Sequence, residues 1–241
     1  MPSQTDEDEL FRACCSDIEA AHVSLGNSLG WRFVTCPRDN FTKTARFWLV
    51  TLHPGGRRDY PEHPQPSQEA GSAYLVESWD DQAVGTDPLQ RQIQMLFDEL
   101  AKQTGRPSGN ELLSISLSSH FIPFRAPSFA DLENKRPTIE FSKRLWRRIL
   151  STFHPKLLIV LDRNGYKAFA QILASQFGEA LSEVEYPTGW GSYVARIRQF
   201  PDGPTLCWIP NLSRFKIFGR PESAAQVVEI VKAATRNASD T

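Results

Sequence analysis

No stretch of this 241-residue chain approaches the roughly 20 consecutive apolar residues that a membrane-spanning helix needs. A membrane-embedded helical protein is therefore not expected. Cysteine is scarce. The four present, Cys14, Cys15, Cys36 and Cys207, form no Cys-x-x-Cys pair. Adjacent Cys14 and Cys15 suit neither zinc nor an iron–sulfur cluster, so all four read as reduced small hydrophobes and no metal or cofactor is expected. An excess of charge of one sign is missing too, with 27 Lys and Arg against 28 Asp and Glu. That balance excludes a uniformly basic coat, so any binding to nucleic acid must come from a local patch. There is no Gly-x-Gly-x-x-Gly and no phosphate loop ending in Gly-Lys-Ser/Thr. Gly26-Asn-Ser28-Leu-Gly30 matches the Gly-x-Ser-x-Gly elbow, but a helical pattern precedes it and a strand-like run follows, the reverse of what that motif requires. The start of the chain, Met1 to Glu9, is acidic and polar, unlike a secretory signal, so a cytoplasmic location and a flexible 1–9 segment are expected.

Hydrophobic residues make up 40% of the chain and include 15 Phe and 6 Trp, enough for one substantial core across residues 1–241. Apolar spacing predicts helices over Asp6–Leu25, Pro88–Lys102, Thr138–Phe153, Asn164–Phe177 and Pro221–Thr235. Trp31–Thr35 reads as extended. Central strands are predicted at Phe47–Leu52, Leu112–Leu117, Leu157–Leu161 and Thr205–Ile209, with a further strand within Gly191–Phe200. Leu157–Leu161 is almost purely aliphatic, as parallel strands buried on both faces are. The alternation of strand and helix predicts an α/β fold: three layers, α/β/α, around a mainly four-stranded parallel sheet.

Two of the predicted strands open into proline-containing loops. Phe47–Leu52 leads into His53-Pro54-Gly55-Gly56-Arg57-Arg58, and Thr205–Ile209 leads into Pro210-Asn211-Leu212-Ser213-Arg214-Phe215-Lys216. In open α/β sheets, ligands bind outside the carboxyl ends of the strands. The cations that follow point to an anion, most simply a phosphodiester backbone. A third strand-to-loop passage carries Ser118, Ser119 and His120, and the loop at 53–72 is long enough to suggest function or disorder.

In order and spacing from about Phe47 to Ala233, these loops resemble the uracil-DNA glycosylase superfamily. The first motif of that family, Gly-x-Asn/Asp-Pro-Gly/Tyr, is matched by Thr51-Leu52-His53-Pro54-Gly55. Its second, His-Pro-Ser or a variant, is matched by Pro210-Asn211-Leu212-Ser213-Arg214. The strand that ends on a base-reading Asn is matched by the segment from Ser119 to Arg125. Three positions depart. His53 stands where the family places a water-positioning Asp or Asn, His120 where the base-reading Asn is expected, and Asn211 where the second-motif His is expected. The departures point away from plain uracil excision, towards a different base or lost activity. No four-cysteine iron–sulfur site of the kind some branches carry is supported.

The resemblance implies a monofunctional, metal-free DNA glycosylase, expected to be monomeric and without lyase activity. His53 and Asn211 are its catalytic candidates. Pro54, Gly55, Tyr74, Ser119 and His120 would contact the flipped base. Arg57, Arg58, Ser213, Arg214, Phe215, Lys216 and Arg220 would contact DNA, with Phe215, Ile217 and Phe218 as a wedge into the stack. An imidazole at 53 can accept a proton from water, and a carboxamide at 211 can donate to the departing base. Each has a structural rival: a loop histidine capping a backbone group, a turn-forming Asn, a surface His120, a core Tyr74 and a hydrophobic turn at 215–218. Some branches of the superfamily act in bacterial defence against phages whose DNA carries bulky cytosine modifications, and Gly55, Gly56 and the long loop would make room for such a group. A nucleic-acid-binding module of the same fold without the chemistry, and a hydrolase of free nucleosides or nucleotides, remain as alternatives.

Overall fold

The computed structural model describes residues 4–58 and 62–236. A single six-stranded sheet of order β2-β1-β3-β6-β5-β4 forms its middle layer. The strands are β1 (Phe47–Thr51), β2 (Leu117–His120), β3 (Leu157–Val160), β4 (Ser182–Pro187), β5 (Val194–Gln199) and β6 (Thr205–Trp208). The first four in spatial order, β2, β1, β3 and β6, are mutually parallel. The β4–β5 hairpin extends the sheet in antiparallel fashion. The helices are α1 (Gln4–Ser24), α2 (Ala73–Val76), α3 (Pro88–Thr104), α4 (Gly109–Ser114), α5 (Lys135–Thr152), α6 (Arg163–Phe177) and α7 (Ala224–Thr235).

Alternation along the strands divides the core in two. Trp48, Val50, Leu158, Val160 and Leu206 face one side and join Phe11, Ile18, Leu145, Trp146, Phe169 and Leu173 of α1, α5 and α6. Phe47, Leu49, Leu157, Ile159 and Cys207 face the other and join α3, α4 and α7. The result is the three-layer α/β/α arrangement, because strands hydrophobic on both faces must be covered on both. Local chemistry sets the helix ends. α3 starts at Asp87, whose side chain accepts from Leu89 N while Gln90 returns the bond, and stops at Gly105 with φ +67°.

Two expectations are corrected. Leu112–Leu117 is not a strand. Ser108 caps Glu111 N at 3.1 Å and starts α4, so Leu112 and Leu113 are helical and the strand begins only at Leu117. An apolar Leu-Leu pair reads the same in either state, and the cap decides. That strand, β2, is also not central but at the end of the sheet, its outer side met at Ser119 by a single antiparallel bridge from Val34. β4 has no counterpart among the expected strands: Glu183-Val184-Glu185-Tyr186 alternates polar and apolar over only four residues, and Glu183, Val184 and Glu185 are all exposed.

The extended Trp31–Thr35 segment and the long loop after β1 are held by buried charge. Arg32 donates to both oxygens of Glu77, at 2.9 and 2.5 Å, and Trp79 Nε1 donates to the same carboxylate at 2.8 Å. Arg125 donates to the Gly55 carbonyl at 3.0 Å and pairs with Glu62 at 2.7 Å. Although burial opposes it, hydrogen bonding from Arg32, Trp79 and Gln68 brings the Glu77 carboxyl down to about 2. Arg32→Ala strands that carboxylate, at an expected cost of about 3 kcal/mol in denaturant unfolding near neutral pH. A depressed carboxyl pKa stabilises the fold above its ordinary value of 4.5 and loses that effect as pH falls towards about 2. The gap between wild type and Arg32→Ala should therefore close across that window.

Candidate functional site

Parallel strands in register deliver their carboxyl ends to one edge. Thr51 lies opposite His120, Val50 opposite Val160, and Val160 opposite Trp208. His53, His120, Asp162 and Asn211 all lie at a strand's last residue or within three residues of it. β6 is two places from β1 in the sheet, so at ~4.8 Å per strand their loops start about 10 Å apart.

The two histidines form the centre of the edge. His120 is 8% exposed, and its Nδ1 lies 2.6 Å from Thr51 Oγ1. Burial first, then the charges of Arg32, His53 and Arg125, hold its pKa well below the ordinary value, so the ring is neutral at pH 7. His53 is half-buried. Burial lowers its pKa as well, opposed by the Pro54 carbonyl and by the charge of Asp162. Its Nδ1 stands 2.9 Å from the Pro54 carbonyl oxygen. A carbonyl only accepts, so in the neutral ring the proton sits on Nδ1 and Nε2 keeps its lone pair. A neutral imidazole with one nitrogen fixed as donor and the other open as acceptor is the form a general base requires.

Asn211 is exposed. Its Oδ1 accepts from Ser213 N at 2.9 Å and from Ser213 Oγ at 2.7 Å, closing the turn after β6. The carbonyl side of the amide is thereby occupied, and Nδ2, which no protein group accepts from among the described residues, is the end left to donate outward. The turn-forming and donor readings of Asn211 are therefore compatible.

The expected base contacts fare unevenly. Pro54 is buried, while Gly55 is exposed, with open space where a side chain would stand. Ser119 is fully buried and donates to the Phe33 carbonyl at 2.7 Å, which turns it away from the edge. Tyr74 is 1% exposed, with its ring against Trp79 at 5.7 Å and its hydroxyl towards Thr35 and Thr51; burial pushes its pKa up to about 12. A ring so placed offers no free face for stacking.

The cationic loops also divide. Arg57 and Arg58 are exposed, and Arg58 pairs with Asp131, whose carboxyl is held below its ordinary range by Ser128 and by Arg58 itself. Arg214, Lys216 and Ser213 are exposed beside Asn211. Arg214 lies over the Phe215 ring at 5.5 Å, and Arg220 over Trp190 at 4.0 Å. The expected wedge is reduced. Ile217 and Phe218 are core residues, 1% and 5% exposed, with Phe218 N and O both bonded to Gln92. Phe215 is half-buried against Tyr193 at 4.2 Å.

Sequence reasoning passed over three groups here. Asp162 lies two residues past β3, accepts from Asn164 N at 2.6 Å and Gly165 N at 2.9 Å, and acts electrostatically on His53. Its position after a strand is the same signal that marked His53. Arg32 and Arg125 carried no local signal, because they reach the edge through long-range pairing. Two cavities formed by described residues lie elsewhere: about 160 Å³ around Arg46, Phe47 and Ser116 at the opposite edge of the sheet, and about 340 Å³ between α6 and β5. Neither includes His53, His120 or Asn211. No family model matches the sequence, and a search of curated proteins gave no match.

Both rings should titrate below 6.5 by NMR of their C2 protons, with His120 the lower. A histidine whose folded pKa is depressed destabilises the fold as pH drops through its unfolded value, since the unfolded chain then binds the extra proton. The stability of His120→Gln should accordingly fall less than that of wild type on acidification below about pH 6.5.

Proposed function

We propose that this protein is a DNA glycosylase acting on a modified base, with a bulky modified cytosine of phage DNA as the favoured substrate. The observation that carries the reading is the fixed tautomer of His53, neutral by burial, with Nε2 open at the carboxyl edge of the sheet. In the proposed reaction Nε2 takes a proton from water as its oxygen bonds to the sugar C1′. The C1′–N bond breaks, and the base leaves with the electron pair. Asn211 Nδ2 donates to a carbonyl oxygen of the leaving base, where negative charge develops. Asp162, beside His53, stabilises both the imidazolium and the positively charged sugar. Arg214 and Lys216, with the rim at Arg57 and Arg58, supply the local positive patch that a chain of net charge −1 needs to hold a phosphodiester backbone. Gly55 and the open space beside it leave room for a substituent on the base.

A second reading, a binding module without chemistry, is favoured by the burial of Ser119 and Tyr74, which takes two of the expected base contacts away from the edge. Incubation with phage DNA carrying modified cytosine, and separately with uracil-containing DNA, distinguishes the two. Abasic sites are expected on the modified DNA. His53→Ala should slow their formation by about 100-fold or more, the usual worth of a general base, with DNA affinity retained. DNA binding without abasic sites on either substrate would establish the binding module instead.

A further inference from the structure

The larger cavity owes nothing to the strand-end loops. It runs between α6 and the open face of β5 and β6, with a volume of about 340 Å³, inside the ~300–1,000 Å³ range typical of small-ligand sites. Spacing along α6 explains its shape. Arg163, Lys167 and Gln171, and beside them Ala170 and Ala174, follow at four-residue spacing and line one wall. Arg196, Arg198 and Trp208 of the sheet line the other, with Tyr166 between. The sheet carries on past the cover of α6 because the β4–β5 hairpin extends it, so the face of β5 is left facing a gap.

The chemistry of this lining is specific. Tyr166 and Trp208 stand 5.9 Å apart with ring planes only 30° from parallel. Arg196 lies over the Trp208 ring at 5.9 Å, and Arg198 over Tyr166 at 5.6 Å. Both arginines are held in place from outside by Glu183, and Arg196 also by Glu185 at 2.5 Å. On the helix wall, Arg163 and Lys167 have no hydrogen-bond or ion-pair partner among the described residues, and Glu179 is the one acidic group among the lining residues. Trp208 Nε1 and Arg196 Nε are buried N–H donors without a protein acceptor, and the Tyr166 hydroxyl likewise makes no hydrogen bond of ordinary geometry. Arg163 and Lys167, exposed and without an acidic partner, call for a ligand that is negative, since Arg196 and Arg198 are already paired with glutamates. The flat aromatic pair adds a planar ring.

We infer that this groove binds a nucleotide: the phosphate at Arg163 and Lys167 on α6, and the base alongside Tyr166 and Trp208. The same chemistry arises from a free mononucleotide or from a nucleotide within a single strand. The inference is independent of base excision at the strand ends, since it uses none of the residues assigned to that reaction.

Equilibrium binding of three probes tests it: inorganic phosphate, adenosine 5′-monophosphate and a short single-stranded oligonucleotide. Wild type should bind the mononucleotide more tightly than phosphate alone. The double variant Arg163→Glu, Lys167→Glu, altered only at exposed helix positions, should weaken it by about tenfold or more. Trp208→Phe keeps an aromatic ring of smaller area, and should weaken binding less. Oligonucleotide binding that the double variant weakens equally, without mononucleotide binding, would support the groove with a strand as its source. Binding of none of the probes, or affinities unchanged in both variants, would overturn the proposal. Abasic-site formation, which depends on His53, is read in a separate assay, so the failure of either idea leaves the other measurable.

Discussion

Arg32 and Arg125 are buried beside the ends of β1 and β2, and a charge removed from water has to be paired. Much of the strand-end edge follows from that constraint. Arg32 takes Glu77, and with it Trp79 and Gln68. Arg125 takes Glu62 and the Gly55 carbonyl, which fastens the long loop after β1 across the sheet edge. Both positive charges then act on His120, and together with burial they keep that ring neutral. The ion pairs therefore do two things at once. They anchor a loop that has little core of its own, and they fix the protonation state of the group at the centre of the edge.

A neutral His120 bonded to Thr51, and a neutral His53 bonded to its own chain at Pro54, form an edge of polar but uncharged donors and acceptors, with Asp162 supplying the negative charge. Positive charge is kept outward, on Arg57, Arg214 and Lys216. The separation suits a polyanion held at the rim while an uncharged group is handled within. The α6–β5 groove divides its chemistry differently. There the cations and the unmatched donors share one cavity with two aromatic rings, an arrangement for holding a single anionic, planar ligand.

Most departures from sequence expectation share one physical origin. Ser119, Tyr74, Ile217 and Phe218 carry expected roles at the edge, yet all four point into the core or bond to distant backbone. Position along the chain says where a residue is attached. Orientation is set by what packs against it, and for Ser119 that is Phe33, 86 residues away. Leu112 and Leu113 depart on a local matter: two leucines carry no periodicity, and the Ser108 cap outweighs their strand-like look. His53 and Asn211 were legible because both lie in loops whose location follows from strand polarity alone.

By itself the sequence determined the alternation of buried strands and amphipathic helices, hence a parallel sheet covered on both sides, with proline-bearing loops at its carboxyl edge. Those features are local or periodic, and they depend on which residues are apolar and at what spacing. Only the tertiary structure decided that Arg32, Glu77, Arg125 and Glu62 pair beside His120, that Asp162 acts on His53, and that α6 and β5 leave a cationic aromatic groove between them. Such contacts join segments tens of residues apart. Their energies depend on burial and distance, which exist only once the chain has closed on itself.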